Sequence, residues 1–505
     1  KAIDGDNVHS DHHDLWINPN AEGHLINGND GGVNITYDDG KTWIKNNQPE
    51  VGQFYAVNVD DQKPYNVYGG LQDNGVWKGP STYKASTRHQ QSGKYPYQSL
   101  MGGDGMQVQI DPRGDSILYT GFQFGYYYRI NTETGKRKMV KPQHDLGEPP
   151  LRFNWQTPIL LSHHNKDIFY FGSNKLHRSM NRGDDFEAIS EDLTTGGKPG
   201  NVPFGTISSI AESPMHFGLL VVGTDDGLVQ LSENGGVTWK KISDQLPANL
   251  WVSRVVASSF EKGRIYVALN GYRNDDFKPY LFVSDNLGQT WTAISSGLPN
   301  SPINVIAEDP SDENILYLGN DMGAYVSFNK GKDWQNLETG LPKVAVHDLV
   351  VQPAAKDLVI GTHGRSIYKM NIADLQKYNS IKNSSLEILT LEDSKASKYW
   401  GEKYSAWGEV NEPKMEIPVF SNKAIDTELV IKTEKGIEVA RHPMHFDAGF
   451  NYKTYDLSFT ESGLKNYLKK NKDQTIKKKE NGKYYLPKGK YLLSIGDQQK
   501  EFSIK

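Results

Sequence analysis

Apolar and polar side chains alternate with a period of two in short runs, which are separated by breaks rich in Gly, Asn and Asp. Such runs read as half-buried strands, and the breaks as turns. Residues 303–337 set out a whole unit: INVIAEDP (strand A), NILYLGND (strand B), GAYVSFN (strand C), a tight turn, and WQNLE (strand D). The same order fits DLWINP, HLINGND and GVNITYDDGKTWIKN near the start, then QFYAVNVD, YNVYGGLQD and GVWKGP. Further copies begin at GMQVQIDP, PILLSHHN, ISSIAESP, SRVVASSF and HDLVVQPA, which makes eight units between residues 8 and 372. The pattern predicts an all-β region of antiparallel four-stranded sheets. The last unit lacks strand D, and Lys1–Val8 is the segment expected to supply an outer strand there.

One turn recurs between strands C and D. It holds Thr36, Asp38, Gly40, Thr42 and Trp43, and again Ser232, Asn234, Gly236, Thr238 and Trp239. It returns around Asn286 and Asn329, and in a worn form around Asn181 with Phe186 in the Trp place. Asp or Asn can accept from free backbone N–H groups, Gly supplies a positive φ, and the aromatic ring anchors the turn on the core. This is the Asp-box, or BNR, pattern, and the repeat resembles the β-propellers that carry it. The resemblance implies a closed ring of blades with Asp38, Asn181, Asn234, Asn286 and Asn329 in structural roles. Eight blades are expected, or seven if the first unit belongs to an upstream domain.

The unit pattern stops after Met370. The expected division is a propeller over 1–375, a polar linker over 376–384, and a small immunoglobulin-like β-sandwich over 385–505. Strand runs KMEIPVF, TELVIKT, EVARHPM, NYKTYDLSF and KYLLSIG support the last. Between Leu464 and Lys483 stand eight Lys against Asp473 and Glu480, read as a solvated loop or as a contact for lipid headgroups or an acidic partner.

Composition narrows the function. Lys+Arg 56 against Asp+Glu 61 leaves a formal charge of −5, so no global basic field exists to hold a nucleic acid. Cys 0 excludes disulfides, thiolate metal sites and cysteine nucleophiles. No apolar run is long enough to span a membrane as a helix. No GxSxG, HExxH or P-loop pattern occurs. The first residues, KAIDGDNVHS, are neither a signal peptide nor an initiating Met, and a mature or cut product is expected.

The chain as a whole is similar to large exported bacterial BNR/Asp-box (sortilin-like) proteins, through HSDHHDLWINP, GNDGGVNITYDDGKTW, GEPPLRFNWQTPIL, GTDDGLVQ, YRNDDFKPY and GTHGRSIYKM. That similarity implies an extracytoplasmic location (secreted, cell-surface or periplasmic), an additional propeller upstream, and membership of a larger cell-surface assembly. Sortilins imply a protein or peptide ligand. The more distant tandem-propeller xyloglucanases imply a polysaccharide, cleaved between two Asp residues. Asp30, in GNDGGV, corresponds to one of these catalytic carboxylates, and Asp73 is its nearest mate here. The second propeller that should supply that mate is absent from the sequence.

In a propeller the D→A and B→C connections share the channel-mouth face. This places His9, Asp11, His12, Asp104, Asn154 and Trp155 on one rim with Asp30, Asp73, Asp226, Arg273, Asp275, Asp321, His363 and Arg365. The rim carboxylates have three readings: caps of their own turns, a Ca²⁺ site drawn from Asp30, Asp73, Asp226 and Asp321, or a glycosidase acid/base pair. His9, Asp11 and His13 could also share a strand face and hold a transition metal. No other cofactor is expected. A binding or assembly role for the channel mouth ranks first, and hydrolysis of a β-glucan such as xyloglucan is the alternative.

Overall fold

Antiparallel pairing of neighbouring strands builds eight sheets from the repeat region in the computed structural model, which describes residues 5, 8–46, 51–84, 96–337 and 340–505. The sheets span 12–46, 54–101, 109–139, 159–188, 207–241, 251–293 and 303–336 with four strands each, and 346–371 with three. Most of Lys1–Val8, expected to supply an outer strand, lies outside the described residues. Each sheet from the second to the eighth packs on the next, and the eighth packs back on the second. At that closure Val57 N donates to the Asp348 carboxylate (3.0 Å), Tyr65 Oη to Asp357 (2.9 Å), and Gln352 Nε2 to the Asp60 carbonyl (3.2 Å). The result is a β-propeller.

The closure corrects the expectation that all eight units share one ring. The first sheet stands outside the seam. Its strand His12–Ile17 is exposed at every position, with Leu15 at 43% and Ile17 at 62%. The matching strands Ile207–Glu212, Ile303–Glu308 and Val346–Gln352 hold only buried and half-buried residues, between neighbouring sheets. Sequence periodicity is the same in both cases, because it reports the sheet and not its neighbours.

The recurring turns are near copies of one another. Asp38 Oδ1 accepts from Thr42 N (2.9 Å) and Asn329 Oδ1 from Asp333 N (2.9 Å), while the hydroxyls of Thr36 and Ser327 accept from Gly40 N and Gly331 N. Trp239, Trp291 and Trp334 each donate Nε1–H to a carbonyl of the preceding sheet, Ile189, Ile242 and Ile294, at 2.7–2.8 Å. These rings are half-buried, so they act as pins between sheets more than as core. The turns bond to the A→B turns of their own sheets, as in Gly235 N to Gly218 O and Lys330 N to Asn314 O. The boxes and A→B turns therefore share one face, and the B→C and D→A loops lie on the other.

Residues Ala373–Lys505 form a second compact unit. A three-stranded sheet (386–388, 415–421, 449–455) and a four-stranded sheet (425–433, 438–446, 489–495, 498–504) share a core that includes Ile388, Ile417, Val419, Leu429, Ile431, Leu493 and Phe502. Residues 376–384, read as a linker, hold a helical turn and the short helix Tyr378–Ile381 within this unit. The lysine-rich stretch begins inside a helix, Glu461–Lys470, rather than in a loop. Thr460 caps it by accepting from Gly463 N (3.2 Å), and Tyr467 is buried with Leu464 and Leu468 packed beside it.

Candidate functional site

One backbone irregularity recurs at the inner strand of each of several sheets. Pairing skips one residue there: Tyr55, Ser208, Ser253, Asn304 and His347, and His13 in the first sheet. Each is a β-bulge, which re-aims a side chain that alternation alone would place elsewhere. The five bulged residues of the ring all line one cavity of about 530 Å³ at the channel. Its wall adds Gln72, Gln107, Asn154 and Asn270 from the loops and inner strands.

Aromatic rings surround the opening. Trp155, Trp251 and Tyr272 line it, and the Arg273 guanidinium lies 4.1 Å from the Trp251 ring centroid and 4.6 Å from that of Tyr272. Among the described residues Arg273 forms no ion pair, so its charge is held by π faces and faces solvent. An adjoining cavity of about 570 Å³ shares Trp155, Trp251 and Arg273 and is bounded by Lys198, Phe204 and Asp226. Tyr55 donates to Gln72 Oε1 (3.1 Å), and burial pushes its phenol up to about 12. His347 and His363 stack at 4.2 Å, and burial holds both imidazoles below their ordinary range, His347 at about 3. Both are therefore neutral at pH 7. Asp321 is the carboxylate among the described lining residues of the central cavity, and it accepts from Asn304 Nδ2 (2.8 Å).

The expected rim residues divide into three groups. Asn154, Trp155, Arg273, Asp321 and His363 line the central cavity, and Asp226 lines its neighbour. Asp225 and Asp226 are caps, yet they serve the preceding connection: Asp225 takes Gly205 N and Thr206 N, and Asp226 takes Thr195 N (2.6 Å). Asp275 and Arg365 are exposed and belong to neither set of lining residues.

The third group lies where the first sheet meets the loop after Leu71. Carboxylate oxygens of Asp11, Asp30 and Asp73 come within 4.8 Å of one another. Asp30 meets His13 Nε2 (2.5 Å), His9 Nε2 meets the Asp73 carbonyl (3.1 Å), and Asp104 accepts from Asp73 N (2.8 Å). His12 bonds instead to Asn27 (3.1 Å). Burial first, then the charges of Asp104 and Asp30, raise the Asp73 pKa. Of the four carboxylates read as a cation set, Asp30 and Asp73 come together, whereas Asp226 accepts from Thr195 N and Asp321 from Asn304 Nδ2. The His9–Asp11–His13 set is likewise split between Asp73 and Asp30. The Asp30 and Asp73 oxygens are also closer than the roughly 6.5–9.5 Å that leaves room for water in an inverting glycosidase.

Sequence reasoning missed Tyr55, Gln107, Ser208, Ser253, Asn304 and His347. Their signal was present as a polar or aromatic residue at one fixed place in strand A, in FYA, MQV, ISS, VSR, INV and VHD.

No protein-family model matches the chain, and neither does any curated protein. Among solved structures it is similar to the GH74 xyloglucanase of Xanthomonas campestris at 16% identity and a TM-score of 0.47, covering 64% of this chain and 52% of that one. The chain thus spans about half the length of that enzyme. The GH74 enzyme of Niastella koreensis gives 13% identity and a TM-score of 0.46, covering 89% of this chain and 72% of that one. YCF48 from Cyanidioschyzon merolae gives 10% identity and 0.45, covering 65% and 96%. No function is taken from likenesses of this degree.

Proposed function

We propose that this is a binding protein whose channel-mouth cavity receives a segment of a glycan or peptide. The observation that carries the reading is the ring of bulges, which turns Tyr55, Ser208, Ser253, Asn304 and His347 into one cavity beneath Trp155, Trp251 and Tyr272. Hydroxyls, amides and neutral imidazoles offer directional hydrogen bonds without a charge to desolvate, and flat rings offer stacking surfaces. Arg273 adds one cation for an anionic group on the ligand. General acid/base hydrolysis needs two carboxyls facing one bond, and the described cavity lining supplies Asp321. Screening the full chain on glycan and peptide arrays tests the reading. Trp251→Ala and Arg273→Ala should each abolish capture of the same ligands. Capture that survives both changes removes the cavity from consideration.

The ring is read as seven blades, with the first sheet as a blade of a further propeller whose neighbours would cover His12–Ile17. The second unit is read as an immunoglobulin-like sandwich, and the whole as an extracytoplasmic component of a surface assembly. Hydrolysis of a β-glucan stays as a second reading only in a retaining form, because Asp73, with its raised pKa, stands beside Asp30 at a separation nearer the roughly 5–5.5 Å of retaining than of inverting enzymes. Reducing ends released from xyloglucan, and lost in both Asp30→Asn and Asp73→Asn, would promote it. Asp11, Asp30 and Asp73 are also the place for a hard cation, and a calcium-dependent rise in Tm that Asp30→Asn abolishes tests that assignment.

A further inference from the structure

The second unit carries a surface that the channel-mouth reading does not use. Residues 403 and 410 pair across a single bridge, and Gly408 N donates to Ser405 O (3.1 Å), which closes a short loop. Two large rings project from it: Tyr404 is 68% exposed and Trp407 98%. Tyr399, also exposed, packs on Tyr404 at 4.8 Å, and the Lys398 ammonium lies 4.9 Å from the Tyr399 ring. Single exposed apolar residues are ordinary, but a near-fully solvated indole beside two exposed phenols is a concentrated apolar surface.

The lysine-rich stretch is fastened to the same loop. Lys479 Nζ donates to the Lys398 carbonyl (2.9 Å) and to Glu402 (2.6 Å), Lys403 N donates to Glu480 (3.3 Å), and Asn481 N donates to the Gly401 carbonyl (3.2 Å). Lys477 and Lys478 are thereby held next to the aromatic loop, exposed and without an ion-pair partner among the described residues. Of the acidic groups at this surface, Glu402 is paired with Lys479 and Glu412 with Lys483, while Glu409 and Glu480 remain exposed against Lys398, Lys403, Lys477 and Lys478.

We propose that this loop and its lysines dock on an anionic lipid bilayer, with Trp407 and Tyr404 among the headgroups and Lys398, Lys403, Lys477 and Lys478 against lipid phosphates. Trp and Tyr settle at the membrane–water boundary because an apolar ring and a polar edge are both satisfied there. Clustered lysines add a coulombic attraction to anionic lipid that decays within a Debye length. A bilayer fits better than an acidic polymer because Trp407 is 98% exposed and Tyr404 68%, and a headgroup layer takes up both rings and lysines at once, whereas a soluble polyanion engages the lysines alone.

Vesicle sedimentation with the full chain tests the proposal, using phosphatidylcholine alone, phosphatidylcholine with phosphatidylglycerol, and soluble polygalacturonate as the competing anion. Binding is expected only to the vesicles that contain phosphatidylglycerol, and it should weaken as salt rises. Lys477→Gln with Lys478→Gln should weaken it by roughly 30-fold, from about a factor of 5 per lysine. Trp407→Ala should also weaken it, and Trp407→Phe should remove part of the fluorescence quenching produced by brominated lipid. All of these side chains are exposed, so the unfolding transition should stay where it is in the parent. Absence of binding to anionic vesicles overturns the proposal, as does binding unchanged in both the lysine and the Trp407 variants. Capture by polygalacturonate without vesicle binding overturns it in favour of an acidic polymer.

Discussion

Replacing Gly288 by Ala is a sharp test of how neighbouring blades are locked. Gly288 sits in the turn after Ser284 with φ of 77°, in the left-handed region that side chains resist. An added Cβ would lie 2.6 Å from both Cβ and Cδ1 of Ile242, a buried residue of the preceding sheet. Ile242 has little room to retreat, because its carbonyl accepts the Trp291 indole N–H at 2.8 Å. The left-handed backbone costs about 1–2 kcal/mol and overpacking about 1–3 kcal/mol more, so the loss should be about 2–5 kcal/mol. Gly297→Ala is the matched control, since its φ is 83° and nothing lies within 4 Å of the added carbon. It should cost only the backbone share, about 1–2 kcal/mol. Thermal and urea unfolding of the full chain would compare the two. Equal losses would refute the interlock, because they would leave only the backbone term. Gly236 against Ile189 and Gly331 against Ile294, both at 2.8 Å, should behave like Gly288.

Four further outcomes follow from the same framework. Trp291→Phe keeps most of the ring and removes its bond to the Ile242 carbonyl, so it should cost about 1 kcal/mol in urea unfolding; no loss would remove the pin. Asp348→Ala strips the partner of Arg254 (2.9 Å) and of Val57 N at the ring closure, and should cost about 3–5 kcal/mol, whereas Asp348→Leu with Arg254→Met should cost clearly less. Burial lowers the pKa of His177 to about 4 and of His347 to about 3, so their contribution is complete above their ordinary value near 6.5 and is lost as pH falls below it. His177→Asn should flatten the stability profile between about pH 6.5 and 4. Asp38 acts lower down: Thr42 N–H, then the Thr42 and Thr36 hydroxyls, hold its pKa at about 2, so stability it contributes above about 3.8 is lost between 3.8 and 2, and Asp38→Asn should remove that segment.

Much of the fold was legible because strand periodicity and turn chemistry are local. The boxes at Asp38, Asn234, Asn286 and Asn329 were readable from one offset, and each forms the turn that its Gly and its Asp or Asn imply. Ring closure was not readable in this way. Asp348 and Val57 lie far apart in sequence, and nothing in either segment announces the other. The helix Glu461–Lys470 was legible in principle, since Thr460, Leu464, Tyr467 and Leu468 give a cap and a helical spacing, but its lysines suggested a solvated loop. At the candidate site, loop topology put Trp155, Arg273, Asp321 and His363 on one rim, and the four line one cavity. The bulged residues escaped because a bulge is a departure from alternation, and one polar residue in strand A looks like an ordinary outward position until its register is known. The carboxylates misled for a related reason. Sequence gives an Asp its loop, but whether it caps a turn, as Asp225 does, or crowds another carboxylate, as Asp73 does, depends on which loop lies opposite.

The most direct test of the binding role is to locate a captured glycan or peptide on the ring. Benzoylphenylalanine would be placed in turn at Tyr272, on the channel mouth, and at Val237, on the exposed turn of the opposite face, and each protein irradiated with the same ligand. The account predicts a crosslink from position 272 and none from 237, with the 272 crosslink lost when Trp251→Ala is added. A crosslink from 237 alone, or one at 272 indifferent to Trp251, would contradict it.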